Sequence, residues 1–267
     1  MLVRRLIVVL IACFVCLALG RSLYLTLSPG GWTAAKAVMM FSCLCAAPWM
    51  GFCAANGLTG FVLRLPRALD PPDVNPSGPL PRTAIAVTIR DEDMTLVLPP
   101  LTRLLSGLDA AGHGDAFELF ILSDSQGQTD TEERAIAAFG GGRVHYRRRM
   151  VNTGFKAGNI MTFLDQHGDA FELMLVLDAD SQMTPQAVLR MICAMREDPR
   201  LGIIQHLTVG LPASSAFPRL FQFGMRAGMR IWATALDWWQ GDECVYWGHN
   251  ALIRTVPFRT QDRKSVV

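Results

Sequence analysis

The chain has 267 residues, of which 51% are hydrophobic, and its formal net charge at pH 7 is +2. This length accommodates one full domain with a smaller segment beside it. The nearly neutral charge excludes a broad nucleic-acid-binding surface, so no nucleic-acid partner is expected.

Two long hydrophobic stretches, residues 6–27 and 32–62, occupy the N-terminal quarter of the sequence. Each is long enough to cross a hydrocarbon core of roughly 30 Å as a helix. The intervening residues 28–31 (SPGG) suit a tight helical hairpin. A signal peptide is the alternative for the first stretch, because Arg4 and Arg5 precede an apolar run. We expect residues 1–63 to form a two-helix anchor whose partner is the lipid bilayer.

The basic residues around this hairpin predict its orientation. Arg4 and Arg5 flank one end, and the segment from Arg64 to Arg82 carries further arginines at the other. Fewer basic residues lie near the turn. Because cytoplasmic loops carry the excess of Lys and Arg, this distribution favours both ends inside the cell. The rest of the chain would then lie in the cytoplasm.

Six prolines fall between residues 64 and 82, and this density prevents a helix and favours an extended linker. Beyond the linker, short apolar runs alternate with helical patterns. Strands are predicted at 83–88, 117–122, 143–146, 171–177 and 201–205, and helices at 100–111, 131–139, 158–166, 185–197 and 217–236. The helix near Pro100 would carry this proline in its first turn. The alternation predicts an α/β fold with a mostly parallel central sheet.

Ligands of such sheets bind outside the carboxyl ends of the strands, so the residues that follow each strand are the candidates for a site. Asp178 and Asp180 follow a near-continuous apolar strand and leave it on the same side. Their hard oxygen atoms suit Mg²⁺ or Mn²⁺. A metal held there would neutralise charge on a departing diphosphate. The alternative is an ordinary acidic turn that caps the next helix.

Two other strand ends carry carboxylates. Asp124 follows the strand at 117–122 and could accept hydrogen bonds from a base or a ribose, although a turn-forming aspartate is the alternative. Glu92 and Asp93 follow the first strand, where a solvated acidic loop is the alternative. These residues together support a ligand site because three carboxylate-bearing loops should converge on one edge of one sheet.

A basic segment and an aromatic segment complete the candidates. Lys156 precedes a helix, so its ammonium and the nearby backbone N–H groups could face a phosphate. The glycine spacing there excludes a P-loop. The preceding arginines, 147–149, could equally be a solvated edge strand. Trp247, Gly248, His249 and Asn250 combine an aromatic ring with polar groups, as sugar sites do, and a packed aromatic loop is the alternative.

Together these stretches resemble the processive-type family 2 glycosyltransferases, in particular the membrane-bound members that build osmoregulated periplasmic glucans. The resemblance covers about residues 82–258. The matching segments follow the family order: FELFILSDS (117–125), GRVHYRRR (142–149), KAGNI (156–160), LVLDADSQM (175–183), GIIQ (202–205) and YWGHNALIR (246–254).

The resemblance implies a GT-A fold, a Rossmann-like mixed sheet, over residues 83–258 in a protein of the bacterial inner membrane. It implies UDP-glucose as donor, a β-glucan acceptor, and Mg²⁺ or Mn²⁺ as cofactor. By the same resemblance Asp124 would lie at the uracil or ribose and Lys156 at the diphosphate. The implied donor-binding residues are Glu92, Asp93, Asp124, Lys156, Asp178 and Asp180, the last two also holding the metal. The implied residues on the sugar and acceptor side are Trp247, Gly248, His249 and Asn250.

The chain departs from the family pattern in two places. The first strand of the family ends in Pro-x-Tyr-Asn-Glu-Asp, whereas residues 88–93 read TIRDED and only Glu92 and Asp93 match. Family members also continue beyond the point where residues 259–267 cease to resemble them. We therefore expect an incomplete GT-A domain that keeps the donor half-site and lacks the general base on the acceptor hydroxyl. A non-catalytic nucleotide-sugar-binding membrane protein and a cellulose- or chitin-type synthase remain open alternatives.

Overall fold

A computed structural model describes residues 1–66, 73–127 and 129–261. The helices are α1 (Leu2–Leu27), α2 (Ala34–Arg64), α3 (Met94–Ala110), α4 (Thr129–Phe139), α5 (Phe155–His167), α6 (Pro185–Glu197), α7 (Ala216–Gln240) and α8 (Thr255–Gln261). The strands are β1 (Thr83–Ile89), β2 (Phe117–Ser123), β3 (Val144–Arg148), β4 (Leu173–Asp178), β5 (Ile203–Gln205) and β6 (Ala251–Arg254). The chain divides into two compact units, Met1–Pro71 with Leu207–Val245 and Pro72–His206 with Tyr246–Val267.

The first unit combines α1, α2 and α7. Both α1 and α2 are long and apolar enough to cross a membrane, which confirms the two predicted N-terminal apolar helices. The α7 helix packs on α2 through aromatic rings. The Phe52 ring lies edge-on to those of Trp232 and Trp239, at centroid distances of 5.7 and 6.1 Å. The Trp239 Nε1–H also donates to Asn56 Oδ1 over 3.0 Å.

The second unit is built on a six-stranded sheet in the order β3-β2-β1-β4-β6-β5. The four strands β3, β2, β1 and β4 are parallel, whereas β6 is antiparallel to both of its neighbours. The predicted α/β class with a mixed, mostly parallel sheet is confirmed. Strand β6 was not predicted, because its single run of three apolar residues (ALI) shows no alternation of apolar and polar positions.

The central strands of this sheet are buried on both faces, which explains their near-continuous apolar sequences. Ile85, Leu119 and Leu175 belong to the core cluster that also contains buried residues of α3 and α6. Alternate residues such as Phe120 and Val176 belong to a second cluster, with Phe163 of α5. The sheet is therefore the middle layer of a three-layer unit.

The predicted start of α3 is wrong. The helix begins at Met94, six residues before Pro100, and contains both Pro99 and Pro100. The side chain of Asp93 caps it, and buried Val97 and other apolar residues at helical spacing face the core. This cap and this burial outweigh the backbone hydrogen bonds that the two prolines remove.

Part of the predicted linker, residues 67–72, lies outside the described residues, as does 262–267 of the predicted tail. Residues 73–82 form neither helix nor strand, as their prolines predict. They are nevertheless attached to α6. The Val74 N–H donates to Gln186 Oε1 over 3.0 Å, and Asp73 pairs with Arg190 over 3.1 Å.

Candidate active site

Three parallel strands end together at one edge of the sheet. Ile89 of β1 lies beside Ser123 of β2, and Thr88 lies beside Asp178 of β4. The loops that follow these strands surround a cavity of about 400 Å³. Five of the six residues predicted to bind the donor line this cavity: Glu92, Asp124, Lys156, Asp178 and Asp180. The loops expected to converge at the carboxyl edge of the sheet therefore do so, and the donor-binding role of these residues stays a prediction.

Asp178 is the last residue of β4, and the turn that follows holds it in place. The Ser181 N–H donates to the Asp178 carbonyl oxygen over 3.0 Å, and the Asp178 N–H donates to Ser181 Oγ over 3.2 Å. The Lys156 ammonium pairs with Asp178 Oδ1. Both side chains are about one-third exposed, so this pair lies at the cavity surface.

Asp180 follows two residues later and is exposed. In the described part of the chain, no hydrogen bond or ion pair is found for its carboxylate. The two carboxylates of Asp178 and Asp180 are the groups at this edge that could hold a metal ion. Among the described residues, no cluster of three or more His, Cys, Asp or Glu side chains is arranged as a metal site. A cation here would take its remaining ligands from water or from a bound phosphate.

Asp124 lies directly after β2, and its side chain is only 7% exposed. It forms a two-pronged ion pair with Arg149, whose side chain is 11% exposed. The Nε–Oδ1 and Nη2–Oδ2 distances are both 2.8 Å. In the sequence, Arg149 belongs to a run of three arginines whose pattern is equally compatible with a solvated edge strand. Its proximity to a strand end was the one signal that could have marked it.

The Arg149 guanidinium also fixes the loop that leads into α5. It donates to the carbonyl oxygens of Thr153 and Phe155 over 3.1 and 3.0 Å and to Asn152 Oδ1 over 3.2 Å. Arg149 thereby connects Asp124 to the backbone immediately before Lys156.

Gly158 allows this loop to lie against the first turn of α5. A Cβ atom at this position would come within 2.0 Å of the Thr153 carbonyl oxygen and 3.3 Å of Arg149 Nη1. The close approach of the loop to the first turn of α5 therefore requires a glycine at this position of the KAGNI segment. By allowing this approach, Gly158 helps to determine the position of Lys156.

A buried network joins the β1 loop to the β2 loop. The Asp91 N–H donates to Ser125 Oγ over 2.8 Å, and Ser125 donates to Glu132 Oε2 over 2.6 Å. Tyr146 donates to Glu132 Oε1 over 2.7 Å. Burial raises the pKa of the Tyr146 hydroxyl, and the hydrogen bond to Glu132 adds to the rise. Asp91 itself has a φ of 55°, a left-handed conformation that aspartate tolerates.

Asp93, also predicted to bind the donor, does not line the cavity. Its Oδ1 accepts from the Thr95 N–H over 2.9 Å and from the Thr95 hydroxyl over 2.7 Å, so it caps α3. These two hydrogen bonds lower the pKa of the Asp93 carboxyl. Thr88 and Arg90, where the sequence departs from the family pattern, do line the cavity.

The four residues predicted for the sugar and acceptor side, Trp247, Gly248, His249 and Asn250, lie in the loop before β6. The first residue of β6, Ala251, pairs with Val176 near the end of β4, so this loop reaches the same edge of the sheet. Gln205 holds it by accepting from the Trp247 N–H over 2.9 Å and donating to the His249 carbonyl oxygen over 3.3 Å. None of the four lines the cavity. Their acceptor role stays a prediction.

The sequence profile of the glycosyl transferase family 2 matches residues 92–261, most of the second unit and α7. Among curated proteins, the glucans biosynthesis glucosyltransferase H of Caulobacter vibrioides is 37% identical over 87% of this chain and 36% of its own length. The protein of the same name from Rhodopseudomonas palustris is 34% identical over 96% of this chain and 37% of its own length. The chain thus spans little more than a third of these relatives.

Among solved structures, a mannosyltransferase of Pyrobaculum calidifontis in complex with GDP-Man and Mn²⁺ matches with a TM-score of 0.47 and 16% identity. The match covers 75% of this chain and 53% of that one. A second structure, Staphylococcus aureus TarS 1–349 with UDP-GlcNAc, matches with a TM-score of 0.41 and 12% identity, over 68% of this chain and 47% of that one.

Proposed function

The chain belongs to glycosyl transferase family 2, and from this premise we propose that its cavity binds UDP-glucose as a glycosyl donor. The observation that carries the proposal is the convergence of Asp124, Lys156, Asp178 and Asp180 on one cavity at the carboxyl edge of the sheet. This edge is where parallel α/β sheets bind their ligands. The acidic and basic groups found there suit a ligand that combines hydroxyl groups, a diphosphate and a divalent cation.

Each of these residues has a role in the proposal. Asp124, held by Arg149, lies at the uracil or ribose, and Lys156 binds the diphosphate. Asp178 and Asp180 hold Mg²⁺ or Mn²⁺. Their donor set fits such a cation, because two carboxylates leave positions for water and phosphate oxygens. When bound, the cation neutralises charge on the diphosphate leaving group.

The proposed reaction is glucose transfer to a growing β-glucan backbone of osmoregulated periplasmic glucans. The names of the similar proteins, which are called glucans biosynthesis glucosyltransferases, support the part of this proposal that concerns glucosyl transfer in glucan synthesis. We assign the donor half of this reaction to the described residues. The loop containing Trp247 and His249 is the proposed acceptor side, because it reaches the same sheet edge from β6.

The proposed cellular setting is the bacterial inner membrane. Helices α1 and α2 would form the anchor over residues 1–63, with both ends in the cytoplasm and residues 64–82 as the linker. Two features support this arrangement: the length and apolar character of the helices, and the basic residues at their ends. The catalytic unit would then meet its nucleotide sugar on the cytoplasmic side.

The experiment that tests the proposal uses the full chain in detergent micelles. Isothermal titration calorimetry with UDP-glucose and Mn²⁺ should show binding that Asp180→Ala abolishes, and UDP release should report turnover. An equal response to UDP-N-acetylglucosamine in competition would favour a chitin-type donor. Binding without UDP release would support a non-catalytic nucleotide-sugar-binding protein. No binding of either nucleotide sugar would overturn the proposal.

A further inference from the structure

The Lys156 ammonium and the Asp178 carboxylate contact each other directly at the cavity surface. Both groups already have a role in the proposed donor site, Asp178 with the cation and Lys156 with the diphosphate. The contact means that they cannot take up these roles independently. A divalent cation at Asp178 Oδ1 would stand within a few ångströms of the ammonium, where like charges repel strongly.

We propose that Lys156 keeps a free divalent cation away from Asp178, so that the cavity takes the cation and the nucleoside diphosphate together as one complex. This inference rests on the proposed function and specifies its ligand. A diphosphate gives Lys156 a new anionic partner and at the same time gives the cation the oxygen ligands that the protein does not supply. Binding of the two is therefore cooperative.

The other charges around the cavity support this reading. Arg149 already neutralises Asp124 through its two-pronged pair, and Lys156 neutralises Asp178. The remaining carboxylates on the cavity wall are Asp180 and Glu92. A free Mg²⁺ or Mn²⁺ would find few uncompensated oxygen ligands there, and these cations need several.

The geometry allows Lys156 to change partners without any movement of the backbone. Arg149 and Gly158 fix the loop and the first turn of α5 that carry it. The Lys156 side chain, by contrast, is 37% exposed and ends in a compact ammonium on a flexible four-carbon stem. Rotation of this side chain can therefore move the ammonium away from Asp178 while the backbone stays in place.

The test measures Mn²⁺ and UDP binding separately, on the full chain in detergent micelles. Free Mn²⁺ is followed by electron paramagnetic resonance, and UDP binding by calorimetry at saturating Mn²⁺. For Lys156→Met we expect opposite shifts. Mn²⁺ affinity without nucleotide should rise about tenfold, and UDP affinity with Mn²⁺ should fall about tenfold. Lys156→Gln should behave in the same way and guards against a folding defect of one variant.

Arg103→Met, which removes an exposed positive charge from α3, is the matched control and should move neither affinity. Unchanged or weaker Mn²⁺ binding in both Lys156 variants, with normal UDP binding by the unaltered protein, would overturn this inference and leave the proposed function standing. Failure of the unaltered protein to bind UDP even with Mn²⁺ would overturn the proposed function and this inference with it.

Discussion

Arg149 donates to both carboxylate oxygens of Asp124, with Nε–Oδ1 and Nη2–Oδ2 distances of 2.8 Å. This pair connects the end of β2 to the segment that follows β3. The same guanidinium holds the Thr153 carbonyl oxygen, which precedes α5, and the Phe155 carbonyl oxygen in the first turn of α5. One side chain therefore fixes two of the loops that surround the cavity, and it does so from a largely buried position.

Replacing Arg149 by Met should destabilise the second unit by about 3–5 kcal/mol, because the buried Asp124 carboxylate loses the guanidinium that is hydrogen-bonded to both of its oxygens. Pulse proteolysis in urea, on the full chain in detergent micelles, would measure this loss. Arg103→Met, on the exposed surface of α3, is the control and should stay within about 0.5 kcal/mol of the unaltered protein.

Replacing Asp124 by Leu as well should recover part of that loss, because the buried charge is then gone. The two substitutions should be non-additive, since the residues are in direct contact. Strict additivity in this double-mutant cycle would show that the interaction between Arg149 and Asp124 contributes nothing to the free energy of unfolding.

Gly158→Ala should lower UDP affinity about tenfold, which corresponds to about 1.4 kcal/mol. The added Cβ would lie 2.0 Å from the Thr153 carbonyl oxygen, so the loop must move and Lys156 must move with it. Calorimetry with UDP and Mn²⁺ measures the change. Gly202→Ala is the matched control, because its Cβ would meet nothing within 4 Å. Equal UDP affinities in the two variants would contradict this role for the loop.

Tyr146→Phe should lower the free energy of unfolding by about 1–3 kcal/mol at neutral pH, because the buried Glu132 carboxylate loses one of its hydroxyl donors. Alkaline pH gives a second readout. The folded state raises the pKa of Tyr146 above its ordinary value of 10.0. Its protonated form is thus favoured by folding, and this contribution is complete below pH 10 and lost as the pH rises beyond.

Urea unfolding between pH 8 and pH 11, a range of about three units that includes the ordinary tyrosine pKa, would separate the loss of the hydrogen bond from the ionisation of Tyr146. The unaltered protein should lose stability more steeply than Tyr146→Phe above pH 10. Parallel pH profiles would mean that the pKa of Tyr146 is the same in the folded and unfolded states, which would contradict the effect of burial and of the hydrogen bond to Glu132.

The residues of the cavity differ in how far the sequence could predict them. Asp178, Asp180 and Asp124 follow apolar strands, and a parallel sheet brings strand ends together, so local patterns were enough to find them. The burial of Arg149 depends on a partner 25 residues away, which no local pattern shows. For Asp93 the local pattern was ambiguous, because a carboxylate after a strand suits a helix cap as well as a ligand site, and in the structure Asp93 caps α3.

Asp178→Asn and Asp180→Asn should both reduce Mn²⁺-dependent UDP affinity, by about tenfold or more, because each removes a charged oxygen ligand of the cation. They should differ when a chelator removes the metal. Asp178→Asn frees the Lys156 ammonium from its partner, so metal-independent UDP binding should become tighter than in the unaltered protein. Asp180→Asn leaves the Lys156 pair intact and should bind UDP without metal as the unaltered protein does.

Calorimetry with UDP, once with Mn²⁺ and once with chelator, compares each of the two variants with the unaltered protein under both conditions. Asp115→Asn removes an exposed carboxylate outside the cavity and should match the unaltered protein in both conditions. If Asp178→Asn and Asp180→Asn gave the same result with chelator, the Lys156–Asp178 contact would have no influence on diphosphate binding. A difference of the expected sign would instead show that Asp178 restrains Lys156 in addition to serving the cation, and this second role is one that Asp180 does not share.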